Sequence, residues 1–203
     1  MVKNNDNYYN PSDLLDIIAK ENESVPLEIF FNKPKYQKAI ETWCAAVFGI
    51  GYSEYLKTCK VKINKANSSP DFFLKVGNQV FEFEITEVQE EGRKRGDYYK
   101  KLKRNPNMLT PYRPEKGRQK APEWIYEGIK KKARHYGDCR GLNLLVYANF
   151  SVTTLERNKI LNAVKEFKET FSSVWVITNS HICSLFSNKA LGEITCWCVI
   201  HRN

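Results

Sequence analysis

Apolar and polar residues alternate most cleanly between Phe72 and Glu87, and that pattern predicts two strands. In the second strand Phe81, Phe83 and Ile85 share one face, and Glu82, Glu84 and Thr86 share the other. Gly77-Asn78 separates the two runs and tolerates the positive φ of a tight hairpin turn. Asp71 enters the first strand directly after Pro70, and a bent antiparallel pair brings its carboxylate toward Glu84. Acids on an otherwise aromatic strand need solvent or a cation. Spacing alone therefore leaves two readings open, a solvated acidic face on an amphipathic hairpin or a divalent-metal site.

Around this hairpin the periodicity is helical. Ser12 is placed to cap a short helix over 13–20, with Leu14, Leu15, Ile17 and Ile18 as its apolar set. Residues 27–31, between Pro26 and Pro34, read as a strand or an extended link. Pro34 opens a helix over 35–48 carrying Ile40, Trp43, Ala46 and Val47, and Gly49 and Gly51 are read as its stop. A second strong helix runs from Pro122 to Tyr136, ended by Gly137, with Ile125, Ile129, Ala133 and Tyr136 in one stripe. At 100° per residue Lys132 lies about 60° from the centre of that stripe, from where it can reach a cleft. The apolar run 142–147 reads as a central strand. A helix over 155–168, capped by Thr153 or Thr154, and strands at 174–178, 182–186 and 194–200 follow. The expected class is α/β, a mixed central sheet flanked by helices, with residues 1–33 as an N-terminal extension and 34–203 as one domain.

Charge changes this picture in one place. The chain of 203 residues carries a formal net charge of +9. Residues 89–140 hold sixteen Lys/Arg against seven Asp/Glu, so the whole excess lies in one quarter of the chain. Its core is a basic insertion at 89–121, rich in Gly and Pro, where Arg93, Lys94, Arg95, Lys100, Lys101, Lys103 and Arg104 are interleaved with tyrosines. Long connections of this kind are usually functional or mobile, and a concentrated basic field with aromatic residues suits a nucleic-acid backbone. Tyrosines packing a lid onto the domain would give the same composition.

Of six cysteines only Cys196 and Cys198 are close in sequence, and one intervening residue inside an apolar run is not zinc-site spacing. All six are read as buried free thiols. No stretch reaches the length of a membrane span and the N-terminus lacks a signal-peptide core, which together predict a cytoplasmic location. No Gly-rich phosphate loop follows the first strand and no Gly-x-Ser-x-Gly elbow or His-Glu-x-x-His pair is present, so dinucleotide-site, phosphate-loop NTPase, esterase and zincin readings fall away.

Phosphodiester hydrolysis needs an activated water and neutralisation of a crowded anionic centre. Mg²⁺ or Mn²⁺ on two or three carboxylates supplies both, and a lysine adds to the second. Pro70-Asp71, with Glu84 thirteen residues later on a hydrophobic strand, resembles the PD-(D/E)xK nuclease superfamily. That resemblance implies a restriction-endonuclease-like three-layer core and metal-dependent endonuclease activity on DNA, with RNA as the second candidate substrate. It implies metal binding by Asp71 and Glu84, with Glu41 from the first helix and Glu82 as a further ligand. Its helix-strand pair would be 122–136 and 142–147. The family's lysine belongs two residues after the second acid, where this chain has Thr86. Lys132, or else Lys120, would then be a migrated lysine. Members of this general shape often act as homodimers. Two further readings remain: a nucleic-acid-binding protein without catalysis, motivated by Thr86, and a protein-interaction domain using 89–120 as an assembly arm.

Overall fold

The computed structural model describes residues 7–30, 33–65, 68–90, 104, 114–137, 139–150 and 155–202. Helices α1 (Pro11–Asn22), α2 (Leu27–Phe30) and α3 (Gln37–Tyr55) precede strands β1 (Cys59–Ile63), β2 (Phe72–Val76) and β3 (Gln79–Gln89). Helix α4 (Pro114–Tyr136), β4 (Asn143–Asn149), α5 (Arg157–Val164), β5 (Ser173–Ile177), β6 (His181–Phe186) and β7 (Cys198–Val199) complete the order. The strands lie in one mixed sheet in sequence order. β3, β4 and β5 are parallel, and the remaining neighbours pair antiparallel.

The sheet separates two apolar cores. On one side α1 and α3 bring Leu14, Ile18, Val47, Phe48 and Tyr52 against Phe72, Phe83, Tyr147 and Trp175. On the other, α4 and α5 bring Ile125, Ile129, Ile160 and Val164 against Leu144, Val146 and Val176. Every residue of β4 is buried, as its continuous apolar run requires. The fold is thus α/β with a mixed central sheet flanked by helices.

Several local expectations change. Gly49 and Gly51 do not stop α3, which runs on to Tyr55. A Cβ on Gly49 would lie 2.7 Å from Pro11 Cγ, so this glycine lets α1 approach α3 rather than ending the helix. Residues 27–30 form a helical turn instead of a strand. Pro122 lies inside α4, which begins eight residues earlier at Pro114, while Gly137, at φ 70°, ends it as expected. Asn10 rather than Ser12 stands at the N-cap of α1. Of the expected strand at 194–200 only Cys198–Val199 pairs.

Candidate functional site

Gly77, at φ 58°, closes the β2–β3 hairpin and sets its register: Lys75 faces Val80, and Phe73 faces Glu82. On the other side of β2, Lys60 faces Lys75 and Lys62 faces Phe73. Two cross-strand rows result, Lys60–Lys75–Val80 and Lys62–Phe73–Glu82, pointing away from the α1/α3 core that receives Val61, Leu74 and Phe83. This face is open: Lys60, Lys75, Val80 and Glu82 are exposed. Tyr9 extends the sheet by a bridge to Val61 and packs on the core, and Tyr8 beside it meets the lysines. Lys75 Nζ lies 5.5 Å from the centroid of the Tyr8 ring, and Lys62 Nζ lies 6.0 Å from Tyr8 and 5.5 Å from Phe73.

The next position along the same face is acidic. Asp71 lies two residues before Phe73, and Glu84 two residues after Glu82, so they continue the face toward α4. Here α4 covers the sheet and lowers Lys132 onto the acids. Its Nζ is 2.8 Å from Glu84 Oε2 and 3.8 Å from Asp71 Oδ2. Tyr136, one turn on, donates its hydroxyl to the same Glu84 oxygen at 2.9 Å, and Ser69 Oγ donates to Glu84 Oε1 at 2.6 Å. The Ile85 amide donates to Asp71 Oδ2 at 2.7 Å. Glu41 accepts from Lys38 Nζ at 3.0 Å, and the same ammonium donates to the Asp71 carbonyl at 3.2 Å.

The electrostatics follow from these contacts. Burial pushes the Asp71 carboxyl up to about 6; the Ile85 amide opposes this, the charges of Glu84 and Glu41 add to it, and Lys132 opposes it in turn. Burial also raises Glu84, but the hydrogen bonds from Lys132 and Ser69, the Lys132 charge and the Tyr136 hydroxyl outweigh it and leave Glu84 below the usual carboxylate range. Burial lowers Lys132, and Glu84 and Asp71 more than restore it, so its ammonium is held more firmly than usual. Glu84, 1% exposed, is therefore an ionised carboxylate whose counter-ion is a lysine.

Sequence reasoning placed Asp71, Glu84 and Lys132 together, and the fold brings them together. The metal roles expected for them are corrected. Among the described residues no group of three His, Cys, Asp or Glu side chains is placed to hold a metal ion. The physical reason is occupancy: Lys132, Ser69 and Tyr136 take the Glu84 oxygens, and Lys38 takes Glu41. Glu82 lies exposed on the open face, opposite Phe73. The residues do not fit a Mg²⁺ or Mn²⁺ centre, and the expectation of a metal-dependent endonuclease built on them is withdrawn. Lys120 is on the exposed side of α4, paired with Glu123 at 2.6 Å. Arg104 is exposed, while Arg93, Lys94, Arg95, Lys100, Lys101 and Lys103 lie outside the described residues.

Three partners of the cluster were missed. Tyr136 was read only as part of an apolar stripe, although it stands four residues from Lys132 and thus shares its side of the helix. Ser69 and Lys38 carried no periodic signal. The lysine face was missed as well, and its signal was the alternation Cys59-Lys60-Val61-Lys62-Ile63.

No family model matches the chain, and no curated protein does. Among solved structures it is similar to a Pseudomonas aeruginosa protein described as of unknown function, monooxygenase superfamily. The two share 15% identity and a TM-score of 0.50, over 95% of this chain and 97% of that one. At that identity the likeness concerns the fold alone. It names a different superfamily from PD-(D/E)xK, so the restriction-endonuclease-like assignment is withdrawn together with the metal site.

Proposed function

We propose that this protein binds nucleic acid, DNA first, on the open face of β1 and β2, and that the Asp71–Glu84–Lys132 cluster is the post that fixes α4 beside that face. The observation that carries the reading is the register Lys60↔Lys75. Like charges directly opposite on neighbouring strands destabilise a sheet, here by roughly 1 kcal/mol in water or less. Among the described residues neither Lys60 nor Lys75 has an acidic partner within salt-bridge distance. A polyanion relieves that repulsion. Tyr8 and Phe73 beside the lysines supply ring surface on which bases stack, worth about 1–3 kcal/mol per base. The concentration of positive charge at 89–140 supports the same reading from the sequence.

Fluorescence anisotropy with single-stranded DNA, duplex DNA and RNA of one length tests the proposal. Wild-type protein should bind DNA, and the variant Lys60→Gln/Lys62→Gln/Lys75→Gln should bind at least tenfold more weakly, at about 1 kcal/mol or less per lost phosphate contact. Equal affinity of the two proteins for all three ligands would refute the assignment of the face.

A further inference from the structure

Cys196 and Cys198 take no part in the proposed binding face. The sequence placed them in a buried strand, yet Cys196 is exposed and Cys198 half-buried, with their sulfurs 3.6 Å apart. Residues two apart on an extended chain share a side, and the chain bends at Cys196, just before β7, with the two sulfurs close together. The strap that carries them is fixed at both ends. Ile194 and Ile200 are buried in the α1/α3 core. The Ile194 amide donates to Ser184 Oγ at 2.9 Å, the Ile200 amide to the Ser180 carbonyl at 2.8 Å, and Tyr55 donates its hydroxyl to the Val199 carbonyl at 2.6 Å. Trp197, between the two cysteines, buries its indole Nε1 without a hydrogen-bond partner, so the strap is held by packing and by its ends.

We infer that Cys196 and Cys198 form a reactive dithiol that is oxidised by low-molecular-weight disulfides to an intramolecular disulfide. The Cys196 thiolate attacks one sulfur of the small disulfide, forming a mixed disulfide and releasing the first small thiol. The Cys198 thiolate then attacks the Cys196 sulfur, forming the Cys196–Cys198 bond and releasing the second. Two protein thiols are oxidised, one small disulfide is reduced to two thiols, and the two protons leave with them. The fixed strap makes the second step intramolecular and fast relative to attack by another reagent molecule. The pair stands apart from the other four cysteines, which are buried. Burial pushes the Cys59 thiol up to about 11 and raises Cys183 further still. Cys198 is raised too, by its partial burial, by the Cys196 thiol and by the Glu54 charge, so the exposed Cys196 makes the first attack and Cys198 resolves it.

The test uses the reduced full-length chain, under native conditions, with excess dithiodipyridine as the small disulfide. Each wild-type molecule should release two equivalents of thiopyridone, carry no adduct, and have lost the mass of two hydrogens, with Cys196 and Cys198 joined in the peptide map. Cys196→Ser and Cys198→Ser should each release half as much and retain one adduct. A wild-type protein that carries separate stable adducts on both residues, or that joins another pair, would overturn the inference.

Discussion

Replacing Asp71 by asparagine should stabilise this protein at neutral pH, although it removes a carboxylate 3.8 Å from a lysine ammonium. Burial above all, with the charges of Glu84 and Glu41, pushes the Asp71 carboxyl up from its ordinary 3.8 to about 6. Its proton is thus held in the folded chain and lost from the unfolded chain between about pH 4 and 6. Stability from this group is present below the unfolded value and falls as pH rises through the folded one. A shift of about two units corresponds to roughly 3 kcal/mol, which partial exposure and the coupling to Glu84 reduce to an expected effect of about 2 kcal/mol. Asparagine keeps a carbonyl oxygen for the Ile85 amide and carries no charge. Urea unfolding followed through tryptophan fluorescence, at steps from pH 4.5 to 8, measures this directly. The variant should exceed wild type by about 2 kcal/mol at pH 7.5 and by only about 1 kcal/mol at pH 4.5, where the unfolded Asp71 is already mostly ionised, giving a midpoint gain near 5 °C in thermal melts at the higher pH. A variant less stable than wild type at pH 7.5, or a difference independent of pH, would refute the reasoning.

Other substitutions follow from the same contacts. Lys132→Met strands the buried Glu84 carboxylate and should lower stability by about 3–5 kcal/mol at pH 7.5; in urea melts, adding Glu84→Gln should recover part of that loss. Against the effect of burial, Glu84 itself is held below its usual range by Lys132, Ser69 and Tyr136, so its contribution is present at neutral pH and should disappear as pH falls through its depressed folded value, which far-ultraviolet circular dichroism can follow. Gly49→Ala gains about 1 kcal/mol of helix propensity but drives a methyl group into Pro11 Cγ at 2.7 Å. Overpacking of 1–3 kcal/mol should win, and calorimetry should find a lower midpoint.

The β2–β3 hairpin was legible because strict alternation and Gly77-Asn78 specify the same turn and faces. The first half of α4 was not. Between Pro114 and Ala121 only Gly117 and Ala121 are buried among the described side chains, so no apolar stripe announces a helix and Pro122 looks like its start. Gly49 misled for a related reason: a glycine that admits a neighbouring helix and one that ends a helix look alike in sequence. The site shows the same limit at the level of chemistry. Spacing put Asp71 and Glu84 together, and the helical projection aimed Lys132 at them. Only the packing of α4 shows that the ammonium, Ser69 and Tyr136 use the oxygens a metal would need. Likewise Cys196 and Cys198 read as buried strand residues, whereas the bend at Cys196 leaves that thiol exposed and only Cys198 packed at the edge of the core.

The central claim, that the lysine rows of β1 and β2 contact a nucleic-acid backbone, is tested most directly by the salt dependence of DNA binding. Each phosphate contact contributes a slope of roughly 0.9 for duplex or 0.7 for single strands in log K against log salt. Lys60→Gln/Lys75→Gln should therefore reduce the slope by roughly 1.8 on duplex or 1.4 on single strands relative to wild type, with folding unchanged by circular dichroism. A double variant that retains the wild-type slope would contradict the account.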